Sequence, residues 1–94
     1  MRVNFYATYR NITGVRSQEI MAGETDTVQT IIEKVLQRFP QLKPHWCDAE
    51  GNFFTHLSII LNKSDINSME NGLQTAVLQE DVIDFVPPVG GGYQ

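Results

Sequence analysis

Val3, Phe5 and Ala7 alternate with Asn4, Tyr6 and Thr8 along residues 3–9. Side chains of an extended chain leave on opposite faces at a period of two, so the pattern predicts a strand with one buried and one wet face. Residues 11–14, NITG, predict a turn, and the β-rich run 15–22 predicts a second strand that closes an N-terminal hairpin. At Thr27 the period changes. Val28, Ile31, Ile32, Val35, Leu36 and Phe39 recur at spacings that place all six on one helical stripe. Thr27 is the expected N-cap, Asp26 adds negative charge at the positive end of the helix dipole, and Lys34 and Arg38 sit toward the other end. Pro40 stops the helix, because a residue before proline avoids helical geometry.

Residues 40–55 have no regular period and contain two prolines, so they predict a long connection held down by Leu42, Trp46, and Phe53 or Phe54. Residues 56–61, HLSIIL, return to strand character, and Asn62-Lys63-Ser64 predicts a turn into a short segment around Ile66. Residues 67–74 predict a turn or a single helical turn, residues 75–78 a brief strand, and residues 82–86 the last strand. Pro87-Pro88 ends it, since proline has no N–H to give a ladder. A hairpin, one main helix and returning strands can form two layers, with the helix lying across one face of a mixed sheet. This is an α+β design. The expected division is a domain over 1–88 and a glycine tail over 89–94.

Ninety-four residues are enough for one such domain and one core. Little is left for a deep internal cleft. The 41% hydrophobic share argues against disorder, and the net charge of −4 works against nucleic acid as a partner, because phosphate binding rests on Lys and Arg. MRVNFYATYR begins neither a signal peptide nor a membrane span, so no membrane association and a cytoplasmic location are expected. A single cysteine, Cys47, fits a reducing compartment, where the sequons at Asn11 and Asn62 carry no meaning.

Catalytic constellations are sparse. His45 and His56 flank Trp46 and Cys47, but a zinc site needs three or four ligands at tight spacing, so the expectation is an ordinary thiol and no metal. Glu80, Asp81 and Asp84 read as solvated charges. Gly90-Gly91-Gly92 lacks the following helix that a phosphate loop requires. Anchored by Pro87-Pro88, these glycines read equally as a frayed end or as a slender arm able to thread a narrow channel and carry a terminal carboxyl to a distant active site.

From Val3 to Gly92 the chain resembles the MoaD-like proteins, the small sulfur-carrying subunits of molybdopterin synthase, together with their archaeal-type relatives that act as small ubiquitin-like modifiers. The matching stretches are VNFYATYRNITG, TVQTIIEKVLQRFP, LNKSDI and, most specifically, NGLQTAVLQEDVIDFVPPVGGG. The resemblance implies the β-grasp, or ubiquitin-like, fold. It also implies a protein co-substrate rather than an enzyme, with no bound cofactor. A ubiquitin-activating-type adenylyltransferase would use ATP to activate the carboxyl of Gly92, sulfur would convert it to a thiocarboxylate, and the large molybdopterin synthase subunit would take that sulfur for a molybdenum or tungsten pterin.

The same resemblance leaves open conjugation of Gly92 to target lysines, and a carrier role in thiamin or amino-acid biosynthesis. Its partner surface is an apolar sheet face near the tail, for which Tyr6, Ile66 and Val86 are the nominated positions, with Pro87 and Pro88 at the root. Tyr93 and Gln94 follow Gly92, so its carboxyl is held in a peptide bond. Cleavage between Gly92 and Tyr93 by a JAMM-type metalloprotease is therefore expected to precede function. An interaction module without tail chemistry is the remaining alternative.

Overall fold

The apolar stripe of the main helix needs an apolar surface to cover, and the alternating strands supply it. A computed structural model describes residues 1–53 and 57–88. Five strands, β1 (Arg2–Phe5), β2 (Ser17–Glu19), β3 (Ser58–Leu61), β4 (Ser64–Asp65) and β5 (Val82–Val86), form one sheet in the order β2-β1-β5-β3-β4. β1 runs parallel to β5, in register from Arg2 opposite Val82 to Phe5 opposite Phe85, and the other pairs are antiparallel. The last strand thus occupies the centre of the sheet, hydrogen-bonded on both edges.

Val3, Phe5, Ile59, Leu61, Ile83 and Phe85 face inward. Across them lies the main helix, α2 (Val28–Arg38), which buries Val28, Ile31, Ile32 and Val35. Burying each such side chain contributes roughly 1.5–3 kcal/mol relative to exposing it. The helix begins where expected, at Thr27, through a reciprocal cap: Thr30 N donates to Thr27 Oγ1 at 3.3 Å and Thr27 N donates to Thr30 Oγ1 at 2.8 Å. Here threonine fills the role that Glu or Gln usually takes three residues after the cap. Lys34 does not serve the far end of the helix dipole. Its Nζ reaches back to Asp26 Oδ2 at 2.7 Å and to the Met21 carbonyl at 2.8 Å.

The first strand is shorter than its alternation predicts. Tyr9 and Thr13 form the buried side of a helix, α1 (Thr8–Thr13), and Gly14 closes it with φ 81° and an N–H donated to the Arg10 carbonyl. The expected turn at 11–14 is therefore a helix end, and the second strand shrinks to three residues. Residues 75–78 form no strand, only an isolated bridge from Ala76 to Thr27. The long connection carries a 3-10 turn, Pro40–Leu42, and one helical turn, α3 (Lys43–Trp46). It is anchored as expected: Leu42 and Trp46 are fully buried, and Trp46 packs against Tyr9, Phe53 and Phe85. Phe54 lies outside the described residues.

Candidate functional site

Strand alternation puts Asn4 of β1, Ser58 and Ile60 of β3, and Val82, Asp84 and Val86 of β5 on the face opposite α2. No described helix covers this face. β5 ends against it: Tyr6 N donates to the Phe85 carbonyl at 3.2 Å, and Val86 pairs with Ser58. The root of the tail thus leaves the sheet between Tyr6 and Ser58. Tyr6 is 39% exposed, Val86 and Pro87 are half-buried, and Pro88 is exposed, so these four stand together at the nominated place. Ile66 does not. It is 3% exposed and belongs to the core, because the 3-10 turn Ile66–Ser68 rolls its side chain inward. Gly90, Gly91, Gly92, Tyr93 and Gln94 lie outside the described residues, as does His56.

The face is less apolar than the resemblance implies. Asp84, read from the sequence as a solvated charge, is half-buried in the middle of the sheet, and its Oδ1 accepts from Asn4 Nδ2 at 2.8 Å. Beside it, Asn4, Tyr6, Asn62, Lys63, Val82 and Asp84 line a hollow of about 410 Å³. Asn62 and Lys63 reach it through a two-residue hairpin loop with φ of 50° and 73°, the backbone of a type I′ turn. Asn62 ties that hairpin to β5, accepting from Val82 N and donating to Asp81, each at 3.0 Å. An asparagine followed by a turn residue was the available signal for this geometry. Nothing in the spacing signalled the Asn4–Asp84 bond, which depends on a parallel register between residues eighty apart in sequence.

Among the described residues, Asp26 carries the one strongly shifted carboxyl. The Lys34 ammonium, the Gly23 N–H and the Thr30 hydroxyl all donate to it and hold its pKa at about 2, below the ordinary 3.8. This cluster lies at the start of α2 and shapes the fold rather than the sheet face. Cys47 is half-buried beside a hollow of about 520 Å³ that Leu36, Lys43 and Pro44 also line, while His45 is exposed. Among the described residues no group of three His, Cys, Asp or Glu is placed to hold a metal ion. No described helix is long and apolar enough to cross a membrane.

A five-stranded mixed sheet with its last strand central and a helix laid across it is a β-grasp, the ubiquitin-like fold. The chain belongs to the ThiS family, whose pattern matches residues 3–92. It is 23% identical over 92 residues to small archaeal modifier protein 3 of Haloferax volcanii, covering 98% of each chain. Its structure superposes on that of small archaeal modifier protein 1 of Methanosarcina acetivorans with a TM-score of 0.83 and 25% identity, over 97% of this chain and 94% of the other. A chain of the Amycolatopsis orientalis BexX/CysO complex matches with a TM-score of 0.72 and 26% identity, over 97% and 98%. Ubiquitin-like small proteins of the carrier and modifier kind are what these likenesses define; the pathway is a separate question.

Proposed function

We propose that the chain is a sulfur carrier that acts through Gly92 once Tyr93 and Gln94 have been removed. The observation that carries this reading is the geometry of the tail root. β5 is pinned on both edges in the middle of the sheet and ends at Val86, and Pro87-Pro88 then leads the chain away beside the uncovered face. A partner seated on that face meets the chain where Pro87-Pro88 leaves the sheet. The family match, which ends at Gly92, supports the same residue as the working terminus.

In this reading a JAMM-type metalloprotease hydrolyses the Gly92–Tyr93 bond. A ubiquitin-activating-type enzyme then transfers AMP from ATP to the freed carboxylate, releasing pyrophosphate. The outer sulfur of a donor persulfide displaces AMP to give an acyl disulfide, and a thiol then attacks the donor's own sulfur, forming a disulfide with it and releasing the thiocarboxylate. The large subunit of molybdopterin synthase takes that sulfur for the pterin of a molybdenum or tungsten cofactor, as the closing VPPVGGG pattern suggests. The protein is consumed and regenerated as a co-substrate and binds no cofactor of its own. Its workplace in this scheme is the cytoplasm. The Amycolatopsis orientalis match, a structure of a complex, supports a partner protein for the chain.

A second reading is favoured by the names of two relatives, both small archaeal modifier proteins. In it the same adenylate is attacked by a lysine ammonium that has lost its proton, giving an isopeptide bond. Mass spectrometry of protein from its native host separates the two. A chain ending at Gly92 with one oxygen replaced by sulfur is expected for the carrier, and Gly-Gly remnants on lysines of other proteins are expected for the modifier. Finding only chains that retain Tyr93-Gln94 while the pathway is running overturns both.

A further inference from the structure

A second, smaller hollow of about 260 Å³ lies on the other side of Tyr6, lined by Asn4, Phe5, Tyr6, Arg10 and Arg16. Two of the seven Lys and Arg of a chain of net charge −4 line it. Among the described residues the ion pairs are Arg2 with Glu19 and Lys34 with Asp26, and neither involves these two arginines. The Nε of Arg10 is buried with no acceptor among the described residues. A guanidinium stays charged at any physiological pH, so two of them facing one small hollow repel each other until an anion enters. Asp84, on the same face, is itself engaged, its Oδ1 accepting from Asn4 Nδ2 at 2.8 Å.

We infer that Arg10 and Arg16 form a receptor for a carboxylate side chain of the protein that docks over the tail root. The inference rests on the carrier reading, because it is the partner seated beside Tyr6 and Val86 that brings the acid. The class of ligand follows from the hollow. The planar fork of a guanidinium matches the two oxygens of a carboxylate, and two such forks line the hollow. Its position next to Tyr6, whose N–H is bonded to the last strand, couples occupancy to correct placement of the tail root. Arg16 is the exposed member and supplies charge from the rim, whereas Arg10 is half-buried.

The experiment is an NMR titration of the full chain that follows the Nε–H signals of Arg10 and Arg16. Its probes are a short blocked peptide with one glutamate, its glutamine counterpart, inorganic phosphate, and sodium chloride at matched ionic strength. The glutamate peptide is expected to move both signals along one saturating curve, while the glutamine peptide and chloride leave them in place. Arg16→Gln is expected to weaken the glutamate peptide about tenfold, the size of one charge-assisted hydrogen bond. Arg10→Lys, which keeps the charge and loses the fork, is expected to weaken it while the fold, judged by the amide spectrum, stays intact.

Equal responses to the glutamate and glutamine peptides overturn the inference, and so does saturation by phosphate with none by the glutamate peptide. Because the readout involves no tail chemistry, a negative result removes this contact alone. The mass of the C-terminus then still decides the carrier reading.

Discussion

Replacing Asp26 by Asn tests the tie that starts α2. In the folded protein the Asp26 carboxylate accepts from Lys34 Nζ at 2.7 Å, Gly23 N at 2.7 Å and Thr30 Oγ1 at 2.7 Å. These donors hold its pKa at about 2 against an ordinary 3.8. A depressed carboxylate stabilises the fold fully above its unfolded value, and that contribution fades as pH falls from about 4 to about 2. The shift corresponds to at most about 2 kcal/mol. The Lys34 side chain keeps 39% of its exposure, so water and salt screen the pair, and about 1 kcal/mol is the expected share.

Urea unfolding followed by Trp46 fluorescence, repeated from pH 7 to pH 2, measures it. Other carboxylates titrate in the same window, so the quantity to read is the difference between the wild type and Asp26→Asn. That difference should be about 1 kcal/mol near neutrality, shrink below pH 4 and be mostly lost by pH 2. Lys34→Met should lower wild-type stability by a similar amount and do little in the Asp26→Asn background. A difference that stays constant down to pH 2 refutes the argument, since it assigns the effect to something other than ionisation.

Ala7 sits at φ 52° and ψ −125° between β1 and α1, a conformation that favours glycine, so Ala7→Gly should raise stability by roughly 1 kcal/mol in the same unfolding assay. Asn62→Ala removes two bonds to the start of β5 and leaves alanine at positive φ, and should cost about 1–2 kcal/mol with the amide spectrum preserved outside the hairpin. Trp46→Ala empties the fully buried centre of the aromatic cluster and should cost about 3–5 kcal/mol, enough to unfold much of the population in mild urea. In the carrier reading, Gly92→Val in a chain ending at residue 92 should leave the melting temperature unchanged and abolish pyrophosphate exchange with an adenylating enzyme. Normal exchange would sink the threading argument.

Elements whose side chains repeat at one period are legible in the sequence. The stripe from Val28 to Phe39 marks α2 and its buried face, and residues 82–86 mark β5 to the residue. Where two periods overlap, the pattern misleads. Ala7 has the place of an inward strand end, but Tyr9 and Thr13 lie four apart and bury one side of a helix that Gly14 terminates. The tail root is legible because its marks are covalent: two prolines fix φ and end the ladder. Ile66 falls in the core and not on the sheet face because a short turn has no period to reveal which way a side chain rolls. Arg10 and Arg16 meet at one hollow only because α1 folds back beside β1, a contact that no spacing encodes.

The central position of β5 has a consequence for how the chain is made. Synthesis runs from the N-terminus, so β1 with β2, and β3 with β4, emerge as separate hairpins with no shared edge. The strand that joins them is the last to leave the ribosome, and it is continuous with the glycine arm. A transcript cut short before residue 82 therefore yields two unjoined ribbons, neither stable alone, which proteases clear. A chain that stops before β5 thus loses its completed sheet and its glycine segment together, so an armless copy of that kind does not persist beside the full chain.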